Sequence, residues 1–355
     1  DLTEAVGQVV ERVSTPWTRD DARTLAALSA AGLVFVAALL LATTPPDALT
    51  ALDSYSVTRY NVIAGAIGIV AALLVTATSA VMTRKYPQAS GIALAHTVPF
   101  LTAASALRLS QSHWDTAGWG WTGLGLLIGS LAVLALPKRY RISIAAPLVV
   151  GTVLAATGLL VRLGQLSQAG ISAILFALVI VLLQVAPWIA LAHIPVRILD
   201  ADTTEQIPAK GITDQVSTSF VFVVALRAGG AIAALFLAVA LMTAPETRSI
   251  SLPLTLIVLG AVSLVLQTRS IRARVEVLLG ALTGLIVILV ATVLGAYADP
   301  RTMPWLTLSA IATALVLVIT NVVGPRARPH LTRIADTISV LSLFVLLPLA
   351  VYLWS

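Results

Sequence analysis

Apolar residues run in blocks along the whole chain, each block closed by a short cluster of Arg, Pro, Asp or Ser. Roughly 20 apolar residues in a helix cross the ~30 Å hydrocarbon core of a bilayer. The blocks predict eleven such helices, at 24–44, 60–82, 90–108, 118–137, 142–162, 170–192, 221–243, 250–268, 275–298, 303–323 and 334–354. Lipid offers backbone N–H and C=O groups no partner, so each crossing segment must satisfy its own, as a helix does. The blocks are also about twice the length of a barrel strand and do not alternate. The expected fold class is all-α, a polytopic membrane protein. Ahead of the first block, Leu2, Val6, Val9 and Val13 recur at helical spacing among Asp1, Glu4, Glu11 and Arg12. Residues 1–23 therefore read as a cytoplasmic amphipathic lead-in, and 24–355 as the transmembrane domain.

Charge sets the orientation. Of the 22 basic residues, 17 fall at one set of alternating span ends, from Arg12, Arg19 and Arg23 through to Arg326, Arg328 and Arg333. The other set holds Arg59, Arg108, Arg162, Arg248 and Arg301. The positive-inside rule then places the N-terminus in the cytoplasm and the C-terminus outside, which requires an odd number of spans. The expected location is a bacterial inner (plasma) membrane, crossed many times. Trp114, Trp119, Trp121, Trp305 and Trp354 fall at outer boundaries and Trp17 and Trp188 near the inner one, as belt residues do.

Composition agrees: 58% of residues are apolar and 11% charged, against about half and a quarter in soluble domains, with a mean hydropathy of +0.98. With no cysteine there are no disulfides and no thiolate metal sites. Lysine appears only at Lys85, Lys138 and Lys210, and Ala, Leu and Val dominate, a usage that points to a GC-rich genome. The chain starts at Asp1 rather than at a methionine, and a further segment is expected upstream of it.

A charge at the centre of a membrane helix costs ~2.5–3.5 kcal/mol, and no span carries one there. Glu276 and Asp336 lie near the inner ends of the ninth and eleventh spans beside Arg274 and Arg333, which reads as charge pairing at the interface. Arg227 sits at the inner edge of the seventh span, where a long side chain can snorkel to water. The uncharged polar groups inside spans are Gln184, His96, Asn321 and scattered Ser and Thr. His96 is expected to bond a neighbouring helix, and Gln184 to bond across a helix interface. Pro99, Pro147, Pro187, Pro253 and Pro348 would mark broken helices in a transporter, but they do not repeat as paired interruptions in two halves.

The four histidines, His96, His113, His193 and His330, form no HExxH pattern, and there is no Walker-type glycine loop. Accordingly no catalytic, cofactor-binding or metal-binding residue is named, no cofactor and no nucleic-acid partner are expected, and the chain is read as no enzyme. Small residues four apart do recur: Gly125 and Gly129 in GLLIG of the fourth span, Gly280 and Gly284 in GALTG of the ninth, Ala64 and Gly68 in the second. That spacing lets helix backbones approach, within one bundle or between subunits.

Eleven spans with the N-terminus inside, a polar cytoplasmic loop after the sixth, and the tail GPRARPHLTRIADTISVLSLFVLLPLAVYLWS together resemble EccD, the integral membrane component of mycobacterial type VII (ESX) secretion systems. The residues carrying the resemblance are Gly324, Pro325 and Arg326, then Arg333 and Pro348 in the last span, with Arg84 closing the second in MTRKYP. The resemblance implies a non-catalytic scaffold or channel subunit of a protein secretion complex. It further implies assembly with the ATPase EccC, the single-span EccB and EccE, and pairing with a second copy of itself around a space filled with membrane lipid. EccD proteins also carry a ubiquitin-like cytoplasmic domain ahead of the membrane region, which residues 1–23 do not contain. The alternative function is a polytopic small-molecule or lipid transporter; an integral membrane transferase stands third, for want of a site.

One long polar stretch remains, HIPVRILDADTTEQIPAKGITDQVSTS at 193–219. Asp200, Asp202, Glu205 and Asp214 outweigh Arg197 and Lys210 for a net of −2, on the side where every other loop is positive or balanced. Acids are repelled by an anionic leaflet, so the segment is expected to project from it. Pro208 and Gly211 predict an irregular, partly extended arm. Two readings stand: an arm docking on a cytoplasmic partner, in this family the EccC stalk or EccE, through Asp200, Asp202, Glu205, Lys210 and Asp214; or a solvated linker.

Overall fold

A computed structural model of the chain describes residues 19–43, 54–85, 90–111, 116–134, 144–164, 166–193, 209–245, 250–267, 274–299 and 328–354, with isolated positions between 301 and 311. The regular elements among them are helices: α1 (Arg19–Thr43), α2 (Ser54–Lys85), α3 (Ser90–Leu109), α4 (Thr116–Val133), α5 (Ala145–Gly164), α6 (Gln168–His193), α7 (Ala209–Met242), α8 (Ser251–Gln267), α9 (Arg274–Ala298) and α10 (Arg328–Trp354). Each falls on an expected apolar block. Most of the block at 303–323 and most of the lead-in lie outside the described residues. Eight of the helices are long and apolar enough to cross a membrane, while α4 and α8 offer shorter apolar stretches, Gly118–Val133 and Ser251–Gln267.

The prolines do not break these helices. Pro99 lies inside α3 and Pro348 inside α10. Pro147 and Pro253 each stand two residues after the first residue of their helix, where no intrahelical N–H bond is lost.

The chain divides into two compact units, Asp1–Gln111 with Ile128–Tyr140, and Ser112–Leu127 with Arg141–Ser355. In the first, α3 packs on both α1 and α2. Phe35 meets Phe100 edge to face, with ring centroids 5.2 Å apart. The Ser79 hydroxyl donates to the Gly91 carbonyl at 2.7 Å. Arg108, near the end of α3, donates from Nε to the Leu41 carbonyl at 2.5 Å and from Nη1 to Asn61 Oδ1 at 3.4 Å. A cation near a helix end is thus spent on holding three helices together.

In the second unit α7 is the central element, packed on α5, α6 and α9, with α10 on α6 and α8. Its core is built of alternating large and small side chains: Phe176, Ile180, Leu237 and Leu256 are fully buried among Ala173, Ala234 and Ala261. The Phe176 ring sits over Gly260 of α8, where a Cβ would come within 2.6 Å of Cε1. The outward faces are oily as well, with Leu163 73% and Phe344 76% exposed. Lipid tails are as apolar as leucine, so such faces cost nothing in a bilayer, and packing has to come from shape.

At 34 residues α7 is about 51 Å long, well beyond the ~30 Å of hydrocarbon. Its apolar part is Ser219–Met242, so the turns from Ala209 onward extend past it. The irregular arm expected here is helical in its second half. Gly211 costs only ~1 kcal/mol in a helix interior, and adding turns to an existing helix is easy where nucleating one is not. Pro208 precedes the first helical residue, a position that removes no bond.

Candidate functional site

The buried charges among the described residues are Arg227 and Glu276. Arg227 lies on α7, eight residues into its apolar part, and Glu276 in the first turn of α9. Nη1 of Arg227 stands 3.4 Å from Oε2 of Glu276, with the two side chains 6% and 10% exposed. The placement adds to expectation twice: Arg227 does not snorkel to water, and Glu276 faces a cation on another helix. Both follow from α9 packing on α7, which brings the α9 start beside this level of α7. Asp336 has no described side chain.

The pair stands beside a polar seam. Gln184 of α6 donates from Nε2 to the Ser263 hydroxyl of α8, and Gln267 of α8 donates from Nε2 to the Gln184 carbonyl at 3.0 Å. Gln184 thus bonds across an interface as its isolation in an apolar span predicts. Because hydrogen bonds between membrane helices average about 0.6 kcal/mol, Ser263→Ala is expected to lower the stability of the detergent-solubilised chain by no more than ~1.7 kcal/mol, read from its thermal midpoint. His96 behaves otherwise: its Nδ1 donates to the Ile92 carbonyl of its own helix at 2.7 Å, rather than to a neighbour. An acceptor four residues back is always in reach in a helix, and it wins.

A cleft with about 270 Å³ of empty space, its mouth included, is lined by Leu183, Arg227, Leu264, Gln267, Gly280 and Thr283. Thr283 gives its hydroxyl proton to Leu279 of its own helix at 2.5 Å. No group of three metal-ligating side chains stands together among the described residues. The arrangement can hold a charge, but it presents no nucleophile beside a base.

Of the polar-segment residues, Asp200, Asp202 and Glu205 lie outside the described residues, and Lys210 and Asp214 lie on the first turns of α7. They precede Arg227 by about 26 and 20 Å of helix axis. Gly125 and Gly129 lie on α4, Gly280 and Gly284 on α9. A Cβ on Gly129 would lie 2.6 Å from Pro99 Cα on α3, and one on Gly284 would lie 2.9 Å from the Ala261 carbonyl oxygen on α8. Gly280 lines the Arg227 cleft. The same close approach occurs at Gly123, whose Cβ would sit 2.8 Å from Ala155 Cα of α5. Trp119, expected in the interfacial belt, is buried and meets Phe236 of α7 edge to face at 6.1 Å. A Cβ on the neighbouring Gly120 would lie 3.2 Å from Gly158 Cα of α5, whereas Trp121 at 40% and Trp354 at 45% exposure remain on the outside.

What sequence reasoning missed is the Arg227–Glu276 pair. Its signal was an arginine two turns inside an apolar block and an acid in the first turn of another.

Two solved structures share the fold. Protomer 1 of the ESX-3 core complex aligns with a TM-score of 0.71 at 18% identity, over 100% of this chain and 80% of that one. A chain of the MycP5-free ESX-5 inner membrane complex in State II aligns with a TM-score of 0.67 at 15% identity, over 91% and 76%. At such identities the likeness is one of fold. No curated protein matches the chain. A family model described as the EccD-like transmembrane domain matches residues 22–355. With nearly the whole chain inside that match, from α1 to the end of α10, the protein belongs to the EccD family.

Proposed function

We propose that this chain is a non-catalytic scaffold or channel subunit of a type VII (ESX) protein secretion complex, crossing the bacterial inner membrane many times. The observation that carries the reading is the family match across residues 22–355; the fold shared with chains of two ESX membrane complexes supports it. Eleven spans, with the N-terminus in the cytoplasm and the C-terminus outside, fit the 17 basic residues on one side. The subunit works by holding others in place: EccB-, EccC- and EccE-like partners, membrane lipid and a second copy of itself. Gly125, Gly129, Gly280 and Gly284 serve close helix packing, a role supported by the lack of space for a Cβ at Gly129 and Gly284. The polar segment, with Asp200, Asp202, Glu205, Lys210 and Asp214, is the contact to a cytoplasmic partner.

The experiment is mass spectrometry of what co-purifies in mild detergent with the tagged chain expressed from its own locus. A multi-ATPase-domain protein and further membrane subunits are expected in fixed proportion; a chain that arrives alone overturns the reading. Reversing the four acids to lysine changes that segment's charge by eight units and is expected to release the cytoplasmic partner while leaving the membrane subunits bound. Unchanged assembly and secretion would reduce the segment to a linker.

A further inference from the structure

Buried N–H groups need acceptors, and the guanidinium of Arg227 has three without one. The N–H of Nε and the two of Nη2 are buried and meet no acceptor among the described residues. Since Nη1 faces Glu276, the edge left over is the one formed by Nε and Nη2. Two parallel N–H groups on that edge match the spacing of two oxygens of a phosphate or a carboxylate. Arg227 also lines the cleft described above.

The level of the cleft narrows the choice of occupant. Gln267 is the last residue of α8 and Glu276 stands in the first turn of α9, so two of the helices forming the cleft end or begin here. Where membrane helices end is where lipid headgroups lie. Charge completes the selection. Glu276 already answers part of the arginine charge, so a singly charged phosphodiester suits the remaining edge better than a doubly charged phosphate, which the carboxylate repels.

We propose that the cleft between α6, α7, α8 and α9 is a phospholipid site, in which the Nε/Nη2 edge of Arg227 binds the phosphodiester of a lipid headgroup while the acyl chains lie along the outer apolar faces. The site lies within a single chain and is independent of which subunits the chain assembles with. Gln267, Gly280 and Thr283 line it beside Arg227.

The test is native mass spectrometry of the full chain, stripped of lipid in detergent and then offered phosphatidylglycerol, a digalactosyl diacylglycerol without phosphate, or inorganic phosphate. The chain is expected to retain one phosphatidylglycerol under activation that removes all others, and to retain neither the glycolipid nor the free ion. Arg227→Lys keeps the charge and the pair but removes the fork, and Gly280→Leu keeps Arg227 and fills the cleft. Each should weaken retention about tenfold or more, the equivalent of one charge-assisted hydrogen bond or two. The two variants perturb packing differently, so a shared loss with unchanged gel-filtration behaviour reports the site. Equal retention of the glycolipid, or undiminished retention in both variants, overturns the proposal. Displacement of the lipid by an equal concentration of inorganic phosphate assigns the edge to a soluble anion and overturns it too, and retention of nothing leaves the edge to water.

Discussion

Removing one partner of the Arg227–Glu276 pair is expected to destabilise the chain by about 3 kcal/mol, and removing both to restore most of the loss. Arg227→Leu leaves a carboxylate that is 10% exposed facing leucine; Glu276→Leu leaves a guanidinium that is 6% exposed with no anion beside it. Breaking a buried pair costs ~3–5 kcal/mol, whereas replacing both charges by apolar groups of similar volume is often neutral. The lower end applies because Glu276 stands in the first turn of α9, where a charge is less costly than the ~2.5–3.5 kcal/mol of the bilayer centre. Thermal midpoints of the two single variants and of the double variant, measured in one detergent, give the coupling directly. Single variants within 0.5 kcal/mol of the parent would mean that water reaches the pair and that its burial carries no energy.

Gly229→Ala is expected to destabilise the chain by roughly 2 kcal/mol, while Gly32→Ala is neutral or stabilising by up to about 1 kcal/mol. At Gly229 of α7 the new Cβ would lie 2.5 Å from the Ala146 carbonyl oxygen and 2.8 Å from Ala146 Cα on α5. These are backbone atoms of another helix, and no rotamer change relieves the clash. At Gly32 of α1 nothing lies within 4 Å of the same atom, so alanine there keeps only its better helix propensity. The two variants are chemically identical, and comparing their melting in detergent isolates the close approach of α5 and α7. Equal midpoints would show that the two helices are free to separate.

Both predictions concern features that the sequence states only in part. Length and hydropathy predict α1 to α10 because in lipid each segment must satisfy its own backbone, so a local property decides the element. The prolines at Pro99 and Pro348 show the limit of a purely local rule: they read as possible breaks and stand inside continuous helices. Gly211 shows the same limit from the other side, since an existing helix extends through a residue that alone favours a turn. The family, too, was legible from the tail around Gly324, Arg333 and Pro348, since a whole-chain pattern of spans and charges needs no tertiary information.

Partners across helices were not legible. Gln184 was expected to cross an interface and does, but its acceptor Ser263 is 79 residues away. His96 was expected to do likewise and turned back on its own helix. Trp119 reads as a belt residue by its position in the chain and is buried against Phe236. Arg227 and Glu276 each look like charges at a span end, and nothing local tells that they face one another across α7 and α9.

The sequence by itself determined which segments are apolar enough to cross a membrane, that those described are helices, and the family to which they belong, because hydrophobic length and the cost of unpaired backbone act within a segment. Which helix lies against which was decided only by the tertiary structure. In lipid every apolar face is equally content, so the choice rests on the fit of single glycines and on the few polar groups that find one another, and neither can be read before the helices are placed.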